Sequence, residues 1–381
     1  MDRWRSLPCL ALIVAVITGC ATGPSPQSGP GAARAETTPA RAATSPPAPP
    51  AAVASSPSPS LQHLRLASQM IVQDVAMFVG VERGHFQQMG LDVEIVPFAN
   101  ASEIVPALAT DQLEAGAVAP NVAMWNAVAR GVPIKIVLDR GTFRPGFGNQ
   151  ALLVRKEVWE AGRARTLADL RGLTIALTPP GAPTSSGCIL GYGLQRVGQS
   201  IDDLTIQPIT FGDMLGAMAN GSIDAGILIE PFITRLLQQG TAVKMMGLDE
   251  MYPNFTIGVV GLSGRLYNDR DTAKRFVRGY IQAIRDYNAT LTQPPMSPER
   301  ERMDQLVANF TKLDIETVRE MVPTGLNPNG APNQESILYC YNYFREQGQI
   351  PQPLSDAQMR AVWGLDLVDE VLNEIGRLPE G

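Results

Sequence analysis

Residues 107–121 read ALATDQLEAGAVAPN and residues 217–231 read AMANGSIDAGILIEP. Ala107 aligns with Ala217, Ala109 with Ala219, Leu113 with Ile223, Glu114 with Asp224, Ala115 with Ala225 and Gly116 with Gly226. Each block reads as the end of a small-residue helix, a tight polar turn, a buried strand and a loop. One supersecondary unit used twice calls for two similarly wound lobes, and no other feature of the chain restricts its fold as much.

The surrounding pattern specifies the class. LRLAS from Leu64 reads as a strand, Asp74 to Met89 as a helix closed by Gly90, and LDVEIVPF as the next strand. Glu103–Thr110 is predicted helical, LEAGAVA a strand, Asn121–Arg130 a helix ending at Gly131, and IKIVL a further strand. Thr166 and Asp169 frame a short helix before the strand LTIAL, in the manner of a capping box. Strands and helices alternating at this pitch mean α/β with a largely parallel sheet.

The first sixty residues stand outside that pattern. Arg3 and Arg5 precede an apolar run from Leu10 to Ile17, too short to span a bilayer, and Thr18, Gly19 and Cys20 follow. Residues 1–20 are therefore a secretory signal, and its Ile-Thr-Gly-Cys ending looks like a bacterial lipobox with Cys20 as the lipidated residue. Residues 21–60 are almost all Ala, Pro, Ser, Gly and Thr, with little to bury, and are expected to form a disordered spacer. The mature chain is expected to be exported, periplasmic or at the cell surface, and held to a bacterial membrane by lipid.

Charge and composition exclude several classes. The chain carries 31 Lys and Arg against 37 Asp and Glu, a net charge of −6. No basic patch or aromatic-basic ladder suggests nucleic acid. His63 and His85 have no Cys or His at ligand spacing, so no metal site is expected. No cofactor motif stands out. Beyond Cys9 and Cys20, only Cys188 and Cys340 remain, and two buried thiols are favoured over a disulfide.

In open α/β sheets, ligands bind outside the carboxyl ends of the strands. Here those ends are Ser68-Gln69, Ala119-Pro120-Asn121, residues 178–186 and Ile229-Glu230-Pro231. If the lobes face each other, these four loops line one cleft. LTPPGAPTSSGC, residues 177–188, sets Thr184, Ser185 and Ser186 where a helix starts, so hydroxyls and unbonded N–H groups converge there. Asp74 reads as a helix N-cap or a ligand contact, and Asn121 is open to the same two roles. Glu230 would accept from an amine or ring N–H, or face its own helix dipole. Arg140 and Arg144 read as solvated arginines. Trp125, Phe143, Tyr192, Phe211 and Phe232 lie near the proposed cleft, where each reads as core before stacking platform, with Phe232 the one weighed as a ligand contact.

The series FVGVERGHFQQMGLDVEIVPF, ALATDQLEAGAVAPNVAMWNAVARGVPIKIV, LLVRKE, TLADLRGLTIAL, PGAPTSS and SIDAGILIEPF resembles substrate-binding proteins of ABC importers. The branch it resembles is the nitrate/sulfonate/taurine and thiamine-pyrimidine-precursor group, over roughly Leu64 to Leu291. The resemblance implies a type II periplasmic-binding-protein fold that closes on a ligand by hinge motion. It places the crossings near Gln150–Val154 and Ile257–Leu262, with lobe 1 at 61–150 plus 260–381 and lobe 2 at 151–259. It implies ligand contacts at Ser68 and Gln69, at Thr184, Ser185 and Ser186, and at Glu230 and Phe232. Pro179, Pro180 and Pro183 replace the Gly-Ser/Thr-rich turn of many relatives, giving a stiffer loop.

The implied role is capture of a small organic ligand, sulfonate- or taurine-like, carboxylate or pyrimidine-like. Delivery would go to a membrane permease with a cytoplasmic ATPase, by a monomer without catalytic activity. Two other readings stand beside it. One is an enzyme like the pyrimidine synthases of thiamine biosynthesis, against which count the export signal and the missing His and Cys cluster. The other is a ligand-sensing lobe for a membrane sensor.

Overall fold

The computed structural model describes residues 61–99 and 101–380. The signal, Cys20 and the spacer lie outside the described residues.

Among the described residues, ten strands build two five-stranded sheets. In chain order they are β1 (Gln62–Ser68), β2 (Leu91–Pro97), β3 (Ala115–Val118), β4 (Ile134–Thr142), β5 (Gln150–Arg155), β6 (Thr174–Leu177), β7 (Thr205–Pro208), β8 (Ala225–Ile229), β9 (Ala242–Gly247) and β10 (Thr256–Ser263). The first sheet runs β2-β1-β3-β10-β4 and the second β7-β6-β8-β5-β9. In the first, β1 is parallel to β2 and β3, while β10 is antiparallel to β3 and β4. In the second, β6 is parallel to β7 and β8, while β5 is antiparallel to β8 and β9. The two windings match strand for strand. Each sheet takes its antiparallel strand from a chain arriving from the other.

The repeated blocks fall at the same place in each sheet. Leu66 and Ala67 pair with Ala115 and Gly116, as Ile175 and Ala176 pair with Ala225 and Gly226. The glycines have a steric cause. A Cβ on Gly116 would lie 2.6 Å from Ile104 Cγ2 and 3.0 Å from Ala67 Cβ, and one on Gly226 would lie 3.3 Å from Ala176 Cβ.

Strand β5 shows how the core is divided. Leu152 and Val154 pack into the large core that runs under the first sheet and its helices, whereas Ala151 and Leu153 face a smaller one with Met214, Met218 and Leu236. That alternation is the two-residue period of a strand covered on both faces. The 22-residue helix Arg270–Leu291 closes the first lobe, with Phe276 stacked on Phe86 at 5.2 Å.

Three expectations need correction. The helix expected over Asp74–Met89 is broken: it runs Val75–Glu82, stops at Gly84, whose φ is 73°, and resumes at His85–Gln88. Left-handed backbone favours glycine, so the chain turns there instead of continuing. The segments expected as crossings are strands of the sheets; the chain crosses just before them, through 143–149 and 248–255. These two stretches lie side by side, with Phe143 N donating to Phe255 O at 2.9 Å and Asn254 N to Phe143 O at 2.8 Å. Cys188 and Cys340 are not free thiols but a disulfide between the helices Ser185–Gln195 and Gln334–Glu346.

Among the described residues, no helix is long and apolar enough to cross a membrane and no cluster of three or more His, Cys, Asp or Glu is placed to hold a metal.

Candidate functional site

The loops at the carboxyl ends of β1, β3, β6 and β8 come together. Gln69, Asn121, Thr178, Ser185 and Glu230 all line one cleft of about 720 Å³ between the sheets. That volume suits an organic molecule of modest size.

On the first lobe, the end of β1 is folded around a carboxylate. Asp74 Oδ2 accepts from Ser68 Oγ at 2.7 Å and from Gln69 N at 2.9 Å, and Ser68 Oγ in turn accepts from Met70 N at 2.9 Å. Met70, with φ of 56°, makes this tight turn possible. Asp74 Oδ1 accepts from Arg140 Nε at 2.5 Å, and Arg140 Nη2 donates to Gln69 Oε1 at 3.1 Å. Ser68 and Asp74 are therefore buried behind the wall, where they shape it, while Gln69 and Arg140 form part of its surface. Asp74 does precede the helix Val75–Glu82, but its side chain makes no capping bond. Arg140, expected in solvent, is 2% exposed, because its partner is a buried acid.

Asn121 lines the cleft and caps the helix Val122–Ala129, its Oδ1 accepting from Met124 N at 3.0 Å. On the second lobe the three hydroxyls have three different fates. Thr184 Oγ1 accepts from Gly187 N at 3.2 Å and donates to Gly181 O at 2.8 Å, so it caps the helix and closes the loop. Ser186 Oγ donates to Gln150 Oε1 at 3.0 Å. Ser185 Oγ is buried and has no partner among the described residues. Gly187 holds the loop close, since a Cβ there would lie 2.3 Å from Ala182 O.

Glu230 lines the cleft but is already engaged. Its Oε2 accepts from Thr234 N at 3.1 Å and Thr234 Oγ1 at 2.9 Å, and its Oε1 from Val322 N at 3.3 Å. Burial raises its carboxyl above the ordinary glutamate value, and those three donors only partly offset it. Phe232 stacks on Phe211, ring centroids 6.0 Å apart, and both rings line the cleft. Trp125 and Phe143 are core, and Tyr192 stacks on Tyr252 instead of lining the cleft.

Sequence reasoning missed Gln73, Phe211 as a wall residue, Arg235, and Thr311 with Leu313, all of which line the cleft. Gln73 Nε2 is buried and unpartnered among the described residues, as is Ser185 Oγ on the other lobe. A buried donor without an acceptor costs about 1–3 kcal/mol, and other buried groups such as Trp125 Nε1 and Tyr280 Oη share that state away from the cleft.

Comparisons with known proteins agree with this geometry. The family model described as NMT1/THI5 like matches residues 72–294, more than half of the chain. The chain belongs to the NMT1/THI5-like family. A binding protein of Brucella abortus is 23% identical over 244 residues, which are 62% of this chain and 67% of the relative. The periplasmic aliphatic sulphonate binding protein SsuA from Escherichia coli superposes with a TM-score of 0.63 at 18% identity, covering 78% of this chain and 92% of that one. The periplasmic nitrate-binding protein NrtA from Synechocystis PCC 6803 gives a TM-score of 0.63 at 13% identity, covering 84% and 90%. This NMT1/THI5-like chain thus has the two-lobe α/β fold of periplasmic binding proteins. The family match ends at residue 294, before the segment that supplies Thr311, Leu313, Val322 and Cys340.

Proposed function

We propose that this chain is the extracytoplasmic solute-binding component of an ABC importer, lipidated at Cys20 and working without catalysis. It captures a small organic molecule and delivers it to a membrane permease driven by a cytoplasmic ATPase. Ser185 and Gln73, which line the cleft from the second and first lobes and each hold a buried polar atom without a partner among the described residues, carry this reading. A ligand that offers an acceptor to each joins the lobes and restores the hydrogen bonds that the cleft lacks. Arg235 on the wall favours an anionic or acceptor-rich head, and Phe211 with Phe232 favours an apolar body. Alkanesulfonates, carboxylates and pyrimidines meet that description; a bare ion leaves the cleft largely empty. The lobes, about 61–142 with 256–381 and 150–247, would close about the crossings.

The test is a thermal-shift and calorimetric screen of an alkanesulfonate, taurine, an aromatic carboxylate and an aminopyrimidine. A ligand raises the melting temperature by mass action. At least one compound is expected to bind wild type and to lose about tenfold or more in affinity with Ser185→Ala or Gln73→Leu, the equivalent of one net hydrogen bond. No binding across the panel, or undiminished affinity in both variants, defeats the reading.

A further inference from the structure

The disulfide joins two parts of the molecule that the sheets keep apart. Cys188 lies one turn into the helix Ser185–Gln195, whose first residue is the unpartnered serine of the cleft. Cys340 lies 152 residues on, in the helix Gln334–Glu346. That second helix is fastened to the first lobe. Thr256 N, at the start of β10, donates to Ser336 Oγ at 3.1 Å, and Asn333 N donates to Thr256 Oγ1 at 2.8 Å. Further along, the Tyr341 ring meets Trp125 of the first lobe edge-on at 5.0 Å.

Packing reinforces the covalent bond. Tyr192 of the binding helix stacks on Tyr252 of a crossing segment at 4.3 Å, and Tyr339 meets both rings edge-on at 5.3 and 5.7 Å. Tyr339 Oη donates to Gln195 Oε1 at 3.0 Å. Gly191 admits the close approach of the helices, since a Cβ there would lie 2.4 Å from Tyr343 Oη.

We propose that the Cys188–Cys340 bond positions the binding helix and limits how far the cleft opens, so that capture depends on the thiol–disulfide state of the exported protein. Two adjacent crossings define a hinge about which the lobes rotate as rigid bodies. A third covalent path resists that rotation. With the bond intact, opening must pull the helix Gln334–Glu346 off Thr256 and Trp125. An external dithiol can supply the two electrons and two protons that turn the bond into two thiols, itself becoming a disulfide; the helices at 188 and 340 can then part, and those first-lobe contacts survive. The proposal rests on the cleft being a capture site, but its principal measurement requires no ligand.

The experiment compares oxidised wild type, wild type treated with dithiothreitol, and a Cys188→Ala/Cys340→Ala variant, all ligand-free. Small-angle scattering reports lobe separation, and amide hydrogen exchange reports local opening. The expected result is a larger radius of gyration in the reduced and double-alanine proteins. Exchange at 184–187 should be about tenfold faster there, with β1 and β2 unchanged. Reoxidation with glutathione disulfide should restore the wild-type pattern, and the double variant should ignore the reductant. Free thiols in the exported protein, identical scattering and exchange in both states, or a uniform rise in exchange across both lobes each overturn the proposal. If no compound of the ligand panel binds yet the redox-dependent opening persists, the transport reading fails and the clasp stands.

Discussion

Asp74 and Arg140 form an ion pair in the first-lobe wall of the cleft, Arg140 Nε 2.5 Å from Asp74 Oδ1, with side chains 0% and 2% exposed. Two of the residues that shape the first-lobe wall, Ser68 and Gln69, are bonded to this pair. Removing either charge leaves the other buried and alone, at a cost of about 3–5 kcal/mol. Asp74→Ala and Arg140→Ala are each expected to lower the unfolding free energy measured in urea by that amount. The double variant should cost less than the sum, because the orphaned charge leaves with its partner. Additive losses in the cycle would show that the two side chains do not act as a pair.

Adjacent hydroxyls are expected to respond oppositely to mutation. Thr184→Ala removes a helix cap and a loop bond, and should destabilise the ligand-free protein by about 1 kcal/mol. Ser185→Ala removes a buried hydroxyl that bonds nothing among the described residues, so ligand-free stability should hold or rise. Differential scanning calorimetry of the two variants decides it. Equal destabilisation by both contradicts the division of labour between Thr184 and Ser185.

That division was not legible in the sequence, because three neighbouring hydroxyls look alike until the backbone fixes which one caps the helix. Glu230 presents the same problem: an E-P-F turn after a buried strand marks a cleft residue, but not that Thr234 and Val322 already hold its oxygens. Local and repeated features fared better. The matched blocks at Gly116 and Gly226 appear in both sheets at one register, where a neighbour crowds each glycine: Ile104 of a helix and Ala67 at Gly116, and Ala176 of the adjacent strand at Gly226. What escaped were contacts between distant residues. Arg140 reads as solvated because its acid lies 66 positions away, and the Cys340 thiol reads as free because its partner lies 152 away. Neither separation leaves a trace in local composition. The missed break at Gly84 is different: the glycine was visible, and an apolar period running through it outweighed it.

The paired glycines should not be equivalent. A methyl at 116 meets Ile104 at 2.6 Å and Ala67 at 3.0 Å, both buried, whereas one at 226 meets its nearest atom, Ala176 Cβ, at 3.3 Å. Overpacking of that severity typically costs about 1–3 kcal/mol. Gly116→Ala is expected to lose stability within that range in chemical denaturation, and Gly226→Ala clearly less. The reverse order would mean that the helix carrying Ile104 yields more easily than the strand carrying Ala176.

Asp139 offers a pH signature. Its Oδ1 accepts from Gly141 N at 2.9 Å and Thr142 Oγ1 at 3.0 Å, and its Oδ2 from Asn327 N at 2.7 Å. Complete burial outweighs these donors and pushes the carboxyl up to about 7 from 3.8. Between those values the folded protein holds a proton that the unfolded chain has released. More protons bound to the native state means stability falls as pH rises, by about 1.4 kcal/mol per pH unit for a single group. The contribution is whole below pH 4 and is lost by about pH 7. Asp139→Asn has no such proton, and it can keep the two bonds to Oδ1. The difference in unfolding free energy between wild type and Asp139→Asn is therefore expected to shift steadily against wild type from pH 4 to 7 and then level off. Glu230, raised in the same direction, titrates in both proteins and cancels. A difference curve that is flat, or that favours wild type as pH rises, would mean the three donors hold Asp139 ionised in the folded protein and that burial is the weaker effect.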